Sequence, residues 1–350
     1  MTSELIVNCT RLAYARRRLA FVFSFLALFA ASIATLANPA VAEAQNWHLP
    51  AGMLERALPF DGAERRFLEF QPAKMKAGAP VLIVLHGGGQ SARKMFRHRF
   101  SPHQAWPKLA EREGFLFLAP NGTNPRDGDP VGGRQHWYDL RNHWPVTNGS
   151  PDDVGFIAAL AAWAVAERGA DPKRVYVAGG SNGGMMTFRL LIERPELFAA
   201  GVSFIATLPA RDLPKPEVAR PILIAAGTDD PVVRWGGGNL LKSGIVLRSA
   251  QETLAFWLEA HGLIGTRPVT RNRIFDRNLM DDCRVEVSSR GGAAELPTVQ
   301  FWAIRGGGHW IPTTTQFNVL PKHRRFMGPR CVDVDGPEMA WEFLKQQRLP

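Results

Sequence analysis

The chain has 350 residues, a formal charge of +10, 45% hydrophobic residues and 21% charged residues. That apolar fraction excludes intrinsic disorder, and the glycines and prolines follow no period, which excludes collagen-like and low-complexity chains. The basic balance suits anionic surroundings, yet no Lys/Arg cluster interleaved with aromatics marks a nucleic-acid site.

Arg11, Arg16, Arg17 and Arg18 precede an apolar run from Leu19 to Ala37, and Ala40-Val41-Ala42 supplies the small-x-small pattern of a cleavage site. The run is nearly long enough to cross a bilayer, so a retained anchor is the competing reading. The expectation is cleavage after Ala42, leaving residues 43–350 as one catalytic domain that is secreted or periplasmic, with no later membrane span. Cys9 leaves with the leader. Cys283 and Cys331 remain, and in an oxidising compartment they form one disulfide or stay as two buried thiols. Neither sits in a C-x-x-C pair, which argues against zinc.

Short apolar runs then alternate with helical patterns. Strands are expected at Arg66 to Phe70, Val81 to Leu85, Phe115 to Ala119, Val175 to Ala178, Gly201 to Ile205, Pro221 to Ala226 and Val299 to Ile304. Helices are expected up to about Arg112, from a cap at Asp152 or Asp153 to Arg168, and over Asn182 to Glu193, Ser249 to Ala260 and Pro337 to Gln346. Alternation of this kind implies an α/β chain, a parallel sheet with helices on both faces. The stretch Asn121 to Pro151 is long for a connection, which usually marks a functional loop.

The chemistry begins at Gly179-Gly180-Ser181-Asn182-Gly183, between an expected strand and an expected helix. A nucleophile elbow needs small residues two positions either side of a serine held in a strained turn. The motif alone is weak, and a glycine-rich turn without chemistry is the plain alternative. A serine also needs a base and an orienting acid. Gly227-Thr228-Asp229-Asp230-Pro231 follows one strand and Gly306-Gly307-Gly308-His309-Trp310 follows another, where sites of open parallel sheets lie. Either Asp229 or Asp230 fills the acid role on this reading. His86-Gly87-Gly88-Gly89 follows Val81 to Leu85 and offers backbone N–H groups for an oxyanion hole, with Gly88 first and Gly89 next. The N–H of Asn182 is the second donor. His86 reads as structural, because His309 already supplies the base.

These motifs, with Asp152-Asp153-Val154-Gly155-Phe156 and Gly227 to Val233, resemble the secreted poly(3-hydroxybutyrate) depolymerase and feruloyl or acetylxylan esterase group of α/β-hydrolases, from about Phe60 to Leu344. The resemblance implies the α/β-hydrolase fold, a catalytic triad of Ser181, His309 and Asp230 rather than Asp229, an acyl-enzyme route, and no metal or cofactor. It also implies a carboxylic ester substrate, first a 3-hydroxyalkanoate oligomer of polyhydroxybutyrate type, with a plant cell-wall ester as the alternative. A serine peptidase and a non-catalytic binding protein on the same fold rank lower. Trp235 stands where the family tends to have Tyr, and Thr313 to Arg330 is longer than usual, a possible lid. Among the aromatics, Trp235, Trp310 and Trp137 are the expected substrate-binding walls, with Trp106, Tyr138 and Trp144 as further candidates. The partner is thus a small or oligomeric ester, and no nucleic acid.

Overall fold

Five consecutive buried residues from Val81 to Leu85 form β3, whose odd and even side chains enter two separate cores. That alternation organises the whole chain. The computed structural model describes residues 49–350, apart from 142–149, 268–269, 280, 292–297 and 316–319. The leader expected at 1–42 and Trp144 lie outside the described residues.

The strands are β1 (Met53–Phe60), β2 (Ala63–Phe70), β3, β4 (Leu116–Pro120), β5 (Val175–Gly180), β6 (Ala200–Phe204) and β7 (Ile222–Gly227). A small ladder of β8 (Gly238–Asn239) and β9 (Val246–Leu247) follows, then β10 (Thr270–Phe275), β11 (Arg284–Arg290) and β12 (Val299–Arg305). Ten of them form one sheet in the order β1-β2-β4-β3-β5-β6-β7-β12-β11-β10. The six central strands, β4 to β12 in that order, run parallel, and the flanking pairs are antiparallel.

The helices are α1 (Ala105–Glu113), α2 (Asp153–Arg168), α3 (Asn182–Glu193), α4 (Ala250–Ala260), α5 (Pro321–Met327) and α6 (Gly336–Leu344). Phe156, Ile157, Phe188 and Trp257 from α2, α3 and α4 cover one face with Val81, Ile83 and Leu85. Trp106, Leu109, Trp341 and Phe343 from α1 and α6 cover the other with Leu82 and Val84. Helices on both faces bury every parallel strand, which is why these read as unbroken apolar runs.

Of the two cap candidates, Asp152 accepts the Gly155 N–H and is the N-cap of α2. Asp153 is fully buried and pairs with Arg65 at 2.6 Å. Strands β1, β8, β9, β10 and β11 and helix α5 are additions to the expected set. β1 is mostly exposed and joins β2 through Asp61-Gly62, both at positive φ, as a two-residue hairpin turn requires. Cys283, before β11, is disulfide-bonded to Cys331.

Candidate active site

Ser181 joins β5 to α3 with φ 55° and ψ −121°, a conformation costly for any residue with a Cβ. Its neighbours explain how the turn is tolerated. A Cβ on Gly179 would lie 2.3 Å from the Gly183 carbonyl group, and one on Gly183 would lie 2.4 Å from the Leu85 oxygen. Both contacts are backbone to backbone, so no side chain can yield. Ser181 N–H donates to the Phe204 carbonyl at 2.9 Å, and the Ser181 carbonyl accepts from Met185 N–H at 2.9 Å.

Asp230 follows β7 and is buried. One carboxylate oxygen accepts the N–H groups of Val232 and Val233, both at 2.8 Å, and the other lies 2.7 Å from His309 Nδ1. With Nδ1 donating to Asp230, Nε2 is left as the nitrogen that can take a proton. Asp229 is exposed, and its carboxylate accepts from the Thr228 hydroxyl instead. The loops after β7 and β12 interlock: Asp229 N–H donates to Gly307 O, and Gly306 N–H to the Thr228 hydroxyl, both at 2.9 Å. Ile311, two residues past His309, packs where a Cβ on Gly180 would be, 3.2 Å away. The histidine loop thus abuts the residue before Ser181.

The loop after β3 lies on the other side of the serine. Gly87 faces Ser181 Cβ, and Gly88 faces Asn182 Cβ and the His136 ring. Gly89 N–H donates to the Gln135 carbonyl at 2.9 Å, so it is not available as an oxyanion donor. Gly88 N–H and Asn182 N–H have no acceptor among the described residues. His86 Nε2 accepts the Gly122 N–H at 3.0 Å, and Nδ1 lies 2.9 Å from Gly87 O. Burial pushes its pKa down to about 3, so the ring is a neutral brace for this loop.

Trp137 does not line a pocket. It is fully buried, its indole N–H donates to the His86 carbonyl at 2.9 Å, and its ring packs on His86. Trp106 is equally buried in the core. Trp235 and Trp310 are half-buried and flank the Asp230 and His309 loops: Trp235 packs on Phe301, and the Trp310 indole N–H donates to Gly328 O at 3.0 Å. Tyr138 is half-buried beneath the Arg189 guanidinium. The described part of Thr313 to Arg330 supports the His309 loop from behind, since His309 N–H donates to Met327 O and Gly308 N–H to Pro329 O.

Sequence reasoning missed the polar network that anchors Asn182. Its amide oxygen accepts Trp137 N–H at 2.8 Å, and its NH₂ donates to Trp137 O and to Asp139 at 2.6 Å. Asp139 in turn pairs with Arg141 at 2.7 Å, both buried. An acid and a base two residues apart look like an ordinary solvated pair in a sequence. His136, beside Gly88, is held down to about 4 by burial and by the Arg141 charge, so it too is neutral. Among the described residues, the one His/Cys/Asp/Glu group with metal-ligand spacing is Cys283, Cys331 and Asp333, whose sulfurs are bonded to each other.

Over 83% of this chain and 99% of the other, the structure is similar to the acetyl xylan esterase from Aspergillus awamori, with a TM-score of 0.51 and 16% identity. This is the α/β-hydrolase fold. Similarity is also found in sequence. The prolyl oligopeptidase family model matches residues 108–213. Feruloyl esterase B of Neurospora crassa is 27% identical over 40% of this chain and 43% of its own length. Acetylxylan esterase A of Aspergillus ficuum is 34% identical over 39% and 40%. The chain spans about two fifths of the length of these curated relatives.

Proposed function

We propose that this α/β-hydrolase is a serine carboxylic-ester hydrolase with Ser181 as nucleophile, His309 as base and Asp230 as orienting acid. The observation that carries the reading is a strained serine at a strand-to-helix turn, on the same sheet edge as a buried His–Asp pair 2.7 Å apart. Ser181 Oγ attacks the ester carbonyl while His309 Nε2 takes its proton, and Asp230 stabilises the resulting imidazolium. Charge on the tetrahedral oxygen is met by the N–H groups of Gly88 and Asn182, each worth about 10²–10³ in kcat. The alcohol leaves with the proton from His309, and water then releases the acyl group by the same steps in reverse.

Trp235 and Trp310 are the proposed substrate walls. The matched relatives are named for feruloyl and acetylxylan esters, and esters of that plant cell-wall class are the substrates proposed first. Oligomers of 3-hydroxyalkanoates rank behind them, because neither relative carries that name. The family-model match supports amide hydrolysis as a second reading. We also read residues 43–350 as one exported catalytic domain behind a cleaved leader, a reading supported by the Cys283–Cys331 disulfide.

The test is kcat/KM of the wild-type chain and Ser181→Ala on 4-nitrophenyl acetate, methyl ferulate, acetylated xylan and 3-hydroxybutyrate oligomers, with 4-nitroacetanilide as the amide. The variant should lose at least about 10³ on every ester. Wild-type rates in the variant would overturn the mechanism, and preference for the anilide would replace esterase with amidase.

A further inference from the structure

The cations of this protein differ in how they are paired. At the amino end of β5, Arg174 and Arg348 both meet Asp171, and nearby Arg168 meets Glu69. At the carboxyl end Arg141 and Arg305 pair with Asp139 and Glu286, but two further groups of cations, one on each side of Ser181, lack such partners. Lys94 and Arg134 stand together on the oxyanion-loop side: Lys94 Cε lies 3.3 Å from where a Gly133 Cβ would be, and Arg134 directly precedes the residue that holds Gly89. Burial, and then the charges of Arg97 and Arg134, hold the Lys94 ammonium below the usual lysine range. On the histidine side, α5 exposes Lys322, His323, Arg324 and Arg325, and its last residue accepts the His309 N–H.

Among the described residues no carboxylate forms an ion pair with Lys94, Arg97, Arg134, Lys322, Arg324 or Arg325. The acids close by are turned to other donors. Asp129 accepts Val131 and Gly132 N–H, Asp127 accepts Asp129 N–H, and Asp229 accepts the Thr228 hydroxyl. One cluster lies on the segments that follow β3 and β4 and the other on the segment that follows β12, and β3 and β12 are four strand spacings apart, roughly 19 Å. A small acyl group cannot reach both, whereas a chain lying across Ser181 can. Cations free of ion pairs on both sides of a site are available to ligands of the opposite sign.

We propose that the ester hydrolysed here is borne on a carboxylate-bearing polysaccharide, whose acidic sugars lie along these two cation clusters while the ester meets Ser181. The proposal rests on the esterase reading and narrows its substrate. An unmodified nucleic acid offers the charge but no carboxylic ester, which decides between the two polyanions.

The experiment uses an acetylated glucuronoxylan and the same polymer with its carboxylates converted to neutral methylamides. Turnover by the purified chain is divided by its rate on 4-nitrophenyl acetate, and binding is read separately with Ser181→Ala. At low ionic strength the carboxylate polymer should be preferred roughly tenfold in both readouts, and the preference should vanish in about 0.5 M NaCl. Combined Lys94→Gln, Arg97→Gln and Arg134→Gln, or Lys322→Gln, Arg324→Gln and Arg325→Gln, should each reduce it. Equal binding and turnover of the two polymers, or tighter binding of single-stranded DNA at the same salt, would overturn the proposal while 4-nitrophenyl acetate hydrolysis kept the esterase reading. Selective binding of the acidic polymer without hydrolysis of any ester would overturn the esterase reading and the proposal with it, leaving charge selectivity alone.

Discussion

The serine side and the histidine side of this sheet edge are held in place by different means. Ser181 is fixed by backbone contacts at Gly179 and Gly183 and by the buried Asn182–Asp139–Arg141 network. His309 hangs instead on the carbonyls at the end of α5, a helix with no buried residue, and a disulfide at Cys331 ties the chain just beyond it to Cys283. A strained turn inside a packed core needs no cross-link, because every neighbour is already constrained. A loop hung on a surface helix lacks that density, and a covalent tie takes its place.

The largest effect on stability should come from the serine side. Asp139→Ala leaves the Arg141 guanidinium buried without its carboxylate, so unfolding free energy should fall by about 3–5 kcal/mol, read by urea denaturation. A loss under about 1 kcal/mol would mean that this network is not what holds the elbow. Next comes the tether. Cys283→Ser with Cys331→Ser should cost about 2–4 kcal/mol and lower kcat more than it raises KM, because His309 loses its fixed position. Unchanged kcat would break the contrast between the two sides.

A smaller effect is the pH slope. His86 is buried and His103 half-buried, and desolvation pushes their pKa values down from 6.5 to about 3 and about 4. Below pH 6.5 the unfolded chain takes up protons at these rings that the folded chain refuses. Stability is therefore complete above that pH and is lost as pH falls toward 4. Melting temperature against pH should decline through that window, and less steeply in His103→Gln. An identical slope in the variant would remove His103 from the account.

Much of this was legible in the sequence for a physical reason. Parallel strands buried on both faces read as unbroken apolar runs, so Val81 to Leu85 and Ile222 to Ala226 stand out. Strands β10 and β11 did not, because β10 is an edge strand of sequence TRNRIF and β11 alternates around Arg and Ser. For β1 the readable signal is the Asp61-Gly62 pair, a two-residue hairpin turn between β1 and β2. At the candidate site, residue types and chain order pointed to Ser181, His309 and either Asp229 or Asp230, and the family resemblance chose Asp230. The Trp137 expectation failed because an aromatic next to a site reads the same whether it faces ligand or core. Asp139 and Arg141 were invisible for a related reason, since only tertiary contact distinguishes a buried ion pair from a solvated one.

The most direct measurement is the site of covalent labelling by a fluorophosphonate, mapped by mass spectrometry on the wild-type chain, Ser181→Ala and His309→Ala. One adduct on Ser181, absent from the first variant and at least about 10²-fold slower in the second, is the expected result. An adduct on another residue, or equal labelling in all three proteins, would contradict the assignment of Ser181 and His309 as nucleophile and base.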